Sequence, residues 1–165
     1  MVGYSKVGSK YIRRVEGKTN YKKRLTLLRS RKARLVVRKS NLYINLQYVE
    51  HNAVGDNSKL NVLSKAIAKY GWTAGLKSLP ACYLTGYLFG KEVIEKKLNK
   101  DLIFDIGLLK SHKGGRLYAA LKGAVDAGLN IPLGEEVLPP EDRYTGKHIK
   151  KEELFKKVKA NIDKK

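Results

Sequence analysis

Residue types and spacings in this chain suggest three kinds of chemistry, and each makes a demand on its surroundings. Gly17-Lys18-Thr19 has the ending of a phosphate-binding loop, but that loop needs a glycine five residues before Gly17, where Ile12 stands. No strand-like run precedes it, so the tripeptide reads as a loop leading into a helix. Asp101 and Asp105 flank a short apolar run, the setting from which a two-metal nuclease draws carboxylates. Such a centre needs several acids on one spot, whereas the first strand-like segment carries Arg34, Arg38 and Lys39. The aspartates therefore read as caps or lysine partners. Cys82 is the single cysteine, and His51, His112 and His148 lack ligand spacing, so neither a disulfide nor a metal or cofactor site is expected.

The third chemistry is the binding of anions. Residues 11–25, YIRRVEGKTNYKKRL, set six basic side chains against Glu16 and interleave Tyr11, Asn20 and Tyr21. Residues 1–39 hold fourteen of the 35 lysines and arginines and one acid, so +13 of the net +20 lies in the first quarter of the chain. Cations this dense oppose compaction until something negative neutralises them, and aromatics among them point to nucleic acid. A second loop, KSHKGGR at 110–116, joins Lys110, His112, Lys113 and Arg116 to two glycines ahead of a helix. It reads either as a phosphate cradle or as a solvated turn.

Behind the basic segment the charge is nearly balanced, and 42% hydrophobic residues in 165 suffice for one core. The most apolar run, Leu79 to Gly90, falls short of the ~20 residues that span a bilayer. The N-terminal residues lack the apolar core of a signal peptide, which suits a cytosolic protein.

The elements follow from periodicity. Residues 1–18 are expected to stay extended until a partner orders them, and Thr19 to cap a helix packed through Tyr21, Leu25 and Leu28. Leu35 to Lys39 and Leu42 to Val49 read as strands, Gly55 to Ser58 as a turn, and Leu60 to Leu63 as a third strand. Ser64 opens a short helix stopped by Gly71. A longer helix starts at Pro80 and runs to about Leu98, with Gly86 and Gly90 allowing close approach. Leu102 to Ile106 forms a strand parallel to an earlier one. Leu117, Leu121 and Ala124 mark a helix ended by Gly128, and Leu154, Phe155, Val158 and Ile162 a basic tail helix that docks on this chain or on a partner. The order predicts an α/β fold with a small mixed sheet packed with helices. The expected divisions are a basic, nucleic-acid-binding arm and helix (1–32), a core (33–130) and a C-terminal extension (131–165).

The segments RRVEGKTNYKKRL, RLVVRKSN, KYGW, PACYLTG, DIGL, GGRLYAALKGAVDAGLNIP and GEEVLP, in this order and spacing, resemble large-subunit ribosomal protein L-eighteen, called L-five in eukaryotes, in its archaeal form. The resemblance implies a ribonuclease-H-like βββαβα layer without its acids. It implies a non-catalytic cytoplasmic protein of the large ribosomal subunit that holds 5S rRNA against the large-subunit rRNA in the central protuberance. Its neighbours would be ribosomal proteins, including the other 5S-binding protein, with no cofactor and no membrane. The family's basic motif matches at Arg13, Arg14, Lys18, Asn20, Tyr21, Lys22, Lys23 and Arg24, and its glycine-containing RNA loop at Lys113, Gly114, Gly115 and Arg116. Arg38 joins these as an expected RNA contact. Val15 and Cys82 depart from the family's usual basic residue and alanine. A DNA-binding regulator would need a recognition helix in a helix-turn-helix, and the helix near the basic cluster leads directly into strands.

Overall fold

Short runs of alternating apolar and polar residues build one mixed sheet, and a computed structural model describes residues 11–164 of the chain. Strands β1 (Ala33–Lys39), β2 (Ile44–Asn52), β3 (Gly55–Leu63) and β4 (Leu102–Asp105) lie in the order β3-β2-β1-β4. The first three are antiparallel neighbours, and β4 runs parallel to β1, as its separation by a helix requires. Interior position explains why Arg34, Leu35, Val36 and Val37 are all buried.

Leu35, Val37, Ile44, Leu46, Tyr48, Leu60 and Val62 face helices α3 (Leu79–Glu95) and α4 (Arg116–Asp126) across the core. Ser78 caps α3 by accepting from the Ala81 amide, with Pro80 in the first turn. The two helices touch backbone to backbone. A Cβ on Gly86 would collide with the Ala120 carbonyl oxygen, and one on Gly123 with that of Tyr83. The tail helix α6 (Glu152–Asp163) docks on its own chain, burying Phe155, Val158 and Ile162. Tyr87 donates to Asp163 at 2.6 Å, and Asn161 to the Tyr70 carbonyl at 2.9 Å. Among the described residues no helix is long and apolar enough to cross a membrane.

Several boundaries differ from expectation. Leu42 is exposed and outside β2. Gly55 to Ser58 belong to β3: a two-residue turn at Ala53 and Val54 closes the hairpin, with Asn52 opposite Gly55. Pairing passes from Tyr48–Leu60 to Val49–Ser58, which leaves Lys59 as a bulge. Strand side chains alternate in direction, so this extra residue turns Asp56 and Ser58 away from the core face that Leu60 and Val62 occupy. Helix α3 ends at Glu95 because Lys97 takes a left-handed conformation (φ 52°) and the Leu98 amide bonds back to the Val93 carbonyl.

Candidate nucleic-acid interface

The sheet face opposite α3 and α4 carries the N-terminal segment. Residues 12–15 form one helical turn, α1 (Ile12–Val15), where an extended, unfolded arm is expected; residues 1–10 of that arm lie outside the described residues. Arg13 Nε donates to Thr19 Oγ1 at 3.0 Å, and Tyr11 stacks on Tyr21 with ring centroids 4.6 Å apart. Asn20, not Thr19, caps helix α2 (Tyr21–Arg29), its side-chain oxygen accepting from the Lys23 amide at 3.0 Å. Leu25 points to solvent, while Tyr21, Arg24, Leu27 and Leu28 are half-buried, so the expected packing stripe is rotated and partly polar.

Charge fastens α2 to the sheet. Arg24 donates to Asp56 Oδ1 at 2.8 Å, Arg34 to Asp56 Oδ2 at 2.6 Å and to Asp105 Oδ2 at 3.1 Å. His51 Nδ1 stands 3.1 Å from Asp56 Oδ1, and Lys23 Nζ donates to the Gly107 carbonyl at 3.0 Å. Burial of the Asp56 carboxyl favours its neutral form, but hydrogen bonds from Arg24, Arg34 and His51 outweigh that and hold it well below the usual carboxylate range. Asp105 also accepts from the Gly107 amide at 2.8 Å, and Arg38 donates to the Asp105 and Val37 carbonyls. Asp105 is thus an arginine partner and turn cap, whereas Asp101 accepts from Asn130 Nδ2 at 2.6 Å. The two expected nuclease carboxylates serve different neighbours, and no group of three metal-ligating side chains occurs among the described residues.

Arg13, Lys18, Asn20, Lys23, Arg24 and Arg38 converge on one cavity of about 350 Å³ between this segment and the sheet. Arg14, Tyr21 and Lys22 border an adjoining one with Leu108. Lys18 also pairs with Glu16 at 3.0 Å, and Lys22 is exposed. Gly114, Gly115 and Arg116 lie apart from this group, around a second cavity with Lys39, Arg143 and His148; Lys113 instead stands 3.8 Å from Glu136. Arg143 and His148 carried no local signal, because only the folding back of the C-terminal extension brings them to the loop. Cys82 is a core residue, its thiol pushed up to about 12 by burial.

Residues 5–103 and 96–134 match the family described as ribosomal large subunit proteins 60S L5, and 50S L18. The chain is 51% identical over 140 residues to large ribosomal subunit protein uL18 of Korarchaeum cryptofilum, covering 85% of this chain and 71% of that one. It is 47% identical over 137 residues to uL18 of Methanobrevibacter smithii (83% and 70% covered) and 47% identical to that of Methanoculleus marisnigri (83% and 78%). The chain belongs to the L5 and L18 family of ribosomal large-subunit proteins.

Proposed function

We propose that this protein is a non-catalytic structural constituent of the large ribosomal subunit, in the cytoplasm, that binds 5S rRNA and attaches it to the large-subunit rRNA in the central protuberance. The observation that carries this reading is the convergence of Arg13, Lys18, Lys23, Arg24 and Arg38 on one sheet face, on side chains and backbone that folding has already fixed. Phosphates of a folded RNA can meet that face from above, and the stacked Tyr11 and Tyr21 offer a platform to an unpaired base. Residues 1–32 are the RNA-binding part in this reading, 33–130 the scaffold, and 131–165 an extension toward neighbouring ribosomal proteins, the other 5S-binding protein among them. Asp101 and Asp105 are occupied by Asn130 and Arg34, which suits a binding role.

The test is a titration of the purified chain with 5S rRNA at several salt concentrations beside a random single strand of equal length. Tight binding of 5S rRNA that weakens steeply with salt is expected. Equal affinity for both RNAs would overturn the assignment.

A further inference from the structure

A separate cavity of about 460 Å³ opens at the C-terminal end of α2, where Arg31, Lys32, Glu50 and Asn99 stand around the side chain of Tyr48. Tyr48 is fully buried on the core face of β2, and its hydroxyl has no hydrogen-bond partner among the described residues. A buried polar group left unpaired costs stability, and such groups are rare in folded proteins. Burial and the Glu50 charge push the phenol above its ordinary range, against a smaller pull from the nearby Asn99 backbone amide. An amide N–H can only donate, so the hydroxyl keeps its proton at neutral pH and has no acceptor for it.

The surrounding groups are donors as well. Arg31 and Lys32 form no ion pair among the described residues. Asn99 Oδ1 accepts from the Asp101 amide at 2.9 Å, which leaves its side-chain nitrogen to donate. His51, also in the lining, is turned to Asp56 through Nδ1. Glu50 is the one acid of the lining and stands 4.0 Å from Lys59. Two cations against one acid leave room for a single negative charge. A carboxylate is planar, carries one charge, and accepts from a guanidinium and a hydroxyl together. A terminal phosphate carries closer to two charges, and a run of phosphodiesters would bring further ones toward Glu50.

The backbone at Arg31 is an independent sign. Arg31 follows Ser30, the C-cap of α2, in the left-handed conformation (φ 55°), with its amide bonded to the Leu28 carbonyl at 3.0 Å. Glycine takes that place most readily, so an arginine there is strained, and strain of this kind gathers at binding sites.

We propose that this cavity is a carboxylate-binding site, in which the ligand accepts from the Tyr48 hydroxyl and pairs with Arg31 and Lys32. The carboxylate could belong to a small organic acid or to a polypeptide; the chemistry is the same. The site does not rest on the proposed rRNA binding, whose cations gather at the other end of α2.

The experiment is an NMR titration of the full chain with sodium acetate, acetamide and inorganic phosphate at constant ionic strength. Saturable shifts of the Lys32, Asn52 and Asn99 amides, all in the lining, are expected with acetate and not with acetamide, which has the same shape and no charge. Tyr48→Phe should weaken acetate binding about tenfold while the melting temperature stays the same or rises, because it removes only the unpaired hydroxyl. Arg31→Gly should also lose affinity and keep its stability, since glycine fits the left-handed position. Absence of saturable shifts, an equal response to acetamide, or unchanged affinity in both variants overturns the site. A lowered melting temperature in Tyr48→Phe overturns it too, by showing the hydroxyl already bonded within the fold. Tighter binding of phosphate than of acetate at these signals would replace the carboxylate with an RNA phosphate. The source is read with an N-acetylated, C-amidated peptide carrying one glutamate. Affinity at least about tenfold above that of acetate assigns the site to a polypeptide, and equal or weaker affinity to a small acid.

Discussion

Arg34 and Asp105, on the neighbouring parallel strands β1 and β4, face each other at 3.1 Å with both side chains less than a tenth exposed. Removing the Asp105 charge leaves the buried Arg34 guanidinium with one carboxylate partner, Asp56 at 2.6 Å, in place of two. Asp105→Asn is expected to cost about 3 kcal/mol, read as a lower urea midpoint with an unchanged slope. A loss under half of that would mean that Asp56 alone compensates the buried guanidinium.

The Asp56 carboxyl sets the acid limb of stability. Its folded pKa lies below its unfolded one, so between the two the unfolded chain binds the extra proton. Stability from this group is fully present above the unfolded value and is lost as pH falls below about 4 toward the folded value. Melts from pH 6 to 2 should show a steep decline that Asp56→Asn flattens. Parallel profiles for the two proteins would show that the hydrogen bonds from Arg24 and Arg34 do not favour the ionised form.

Gly86→Ala should separate α3 from α4, since its Cβ would occupy the place of the Ala120 carbonyl oxygen, which is backbone and cannot swing away. A loss of at least about 2 kcal/mol is expected in thermal or denaturant unfolding. Gly75→Ala, with open space around its Cβ position, serves as the control and should change little.

On the basic face, Lys22 and Arg24 should behave differently. Lys22 is exposed and ion-paired with no carboxylate among the described residues, so Lys22→Gln should weaken 5S rRNA binding and reduce the salt slope by about 0.7 to 0.9 without changing the melt. Arg24 also holds α2 to Asp56, so Arg24→Ala should lower the melting temperature as well as affinity. Identical behaviour of the two would mean that the Arg24–Asp56 contact does not hold the helix.

Element type and order were legible in the sequence because periodicity and punctuation agreed, as at Pro80 in the first turn of α3, Gly71 after the short helix and Gly128 after α4. The close approach permitted by Gly86 and Gly90 was legible for the same reason. What escaped depended on register or on distant partners. The bulge at Lys59 has no composition of its own, yet it decides that Asp56 meets Arg24 and Arg34 instead of facing the core. Leu25 fits a helical stripe as well as Leu27 does, and the distant contacts of Arg24 with Asp56 and of Lys23 with the Gly107 carbonyl fix which way α2 turns. Arg143 and His148 reach the second cavity through the fold of the extension, which no local pattern announces.

The place of β4 in the sheet has a consequence for synthesis on the ribosome. β1, β2 and β3 leave the exit tunnel first and can pair as a meander, but the other edge of β1 is completed only by Leu102–Asp105, 39 residues after β3 ends at Leu63. At translation rates of about 5–20 residues per second that edge stays open for roughly 2 to 8 s, with the apolar face of the meander still uncovered by α3 for part of that time. An open, apolar edge on a nascent chain is an invitation to pair with the wrong strand, so the strand order leaves the chain most open to mispairing in the interval between the third strand and the fourth.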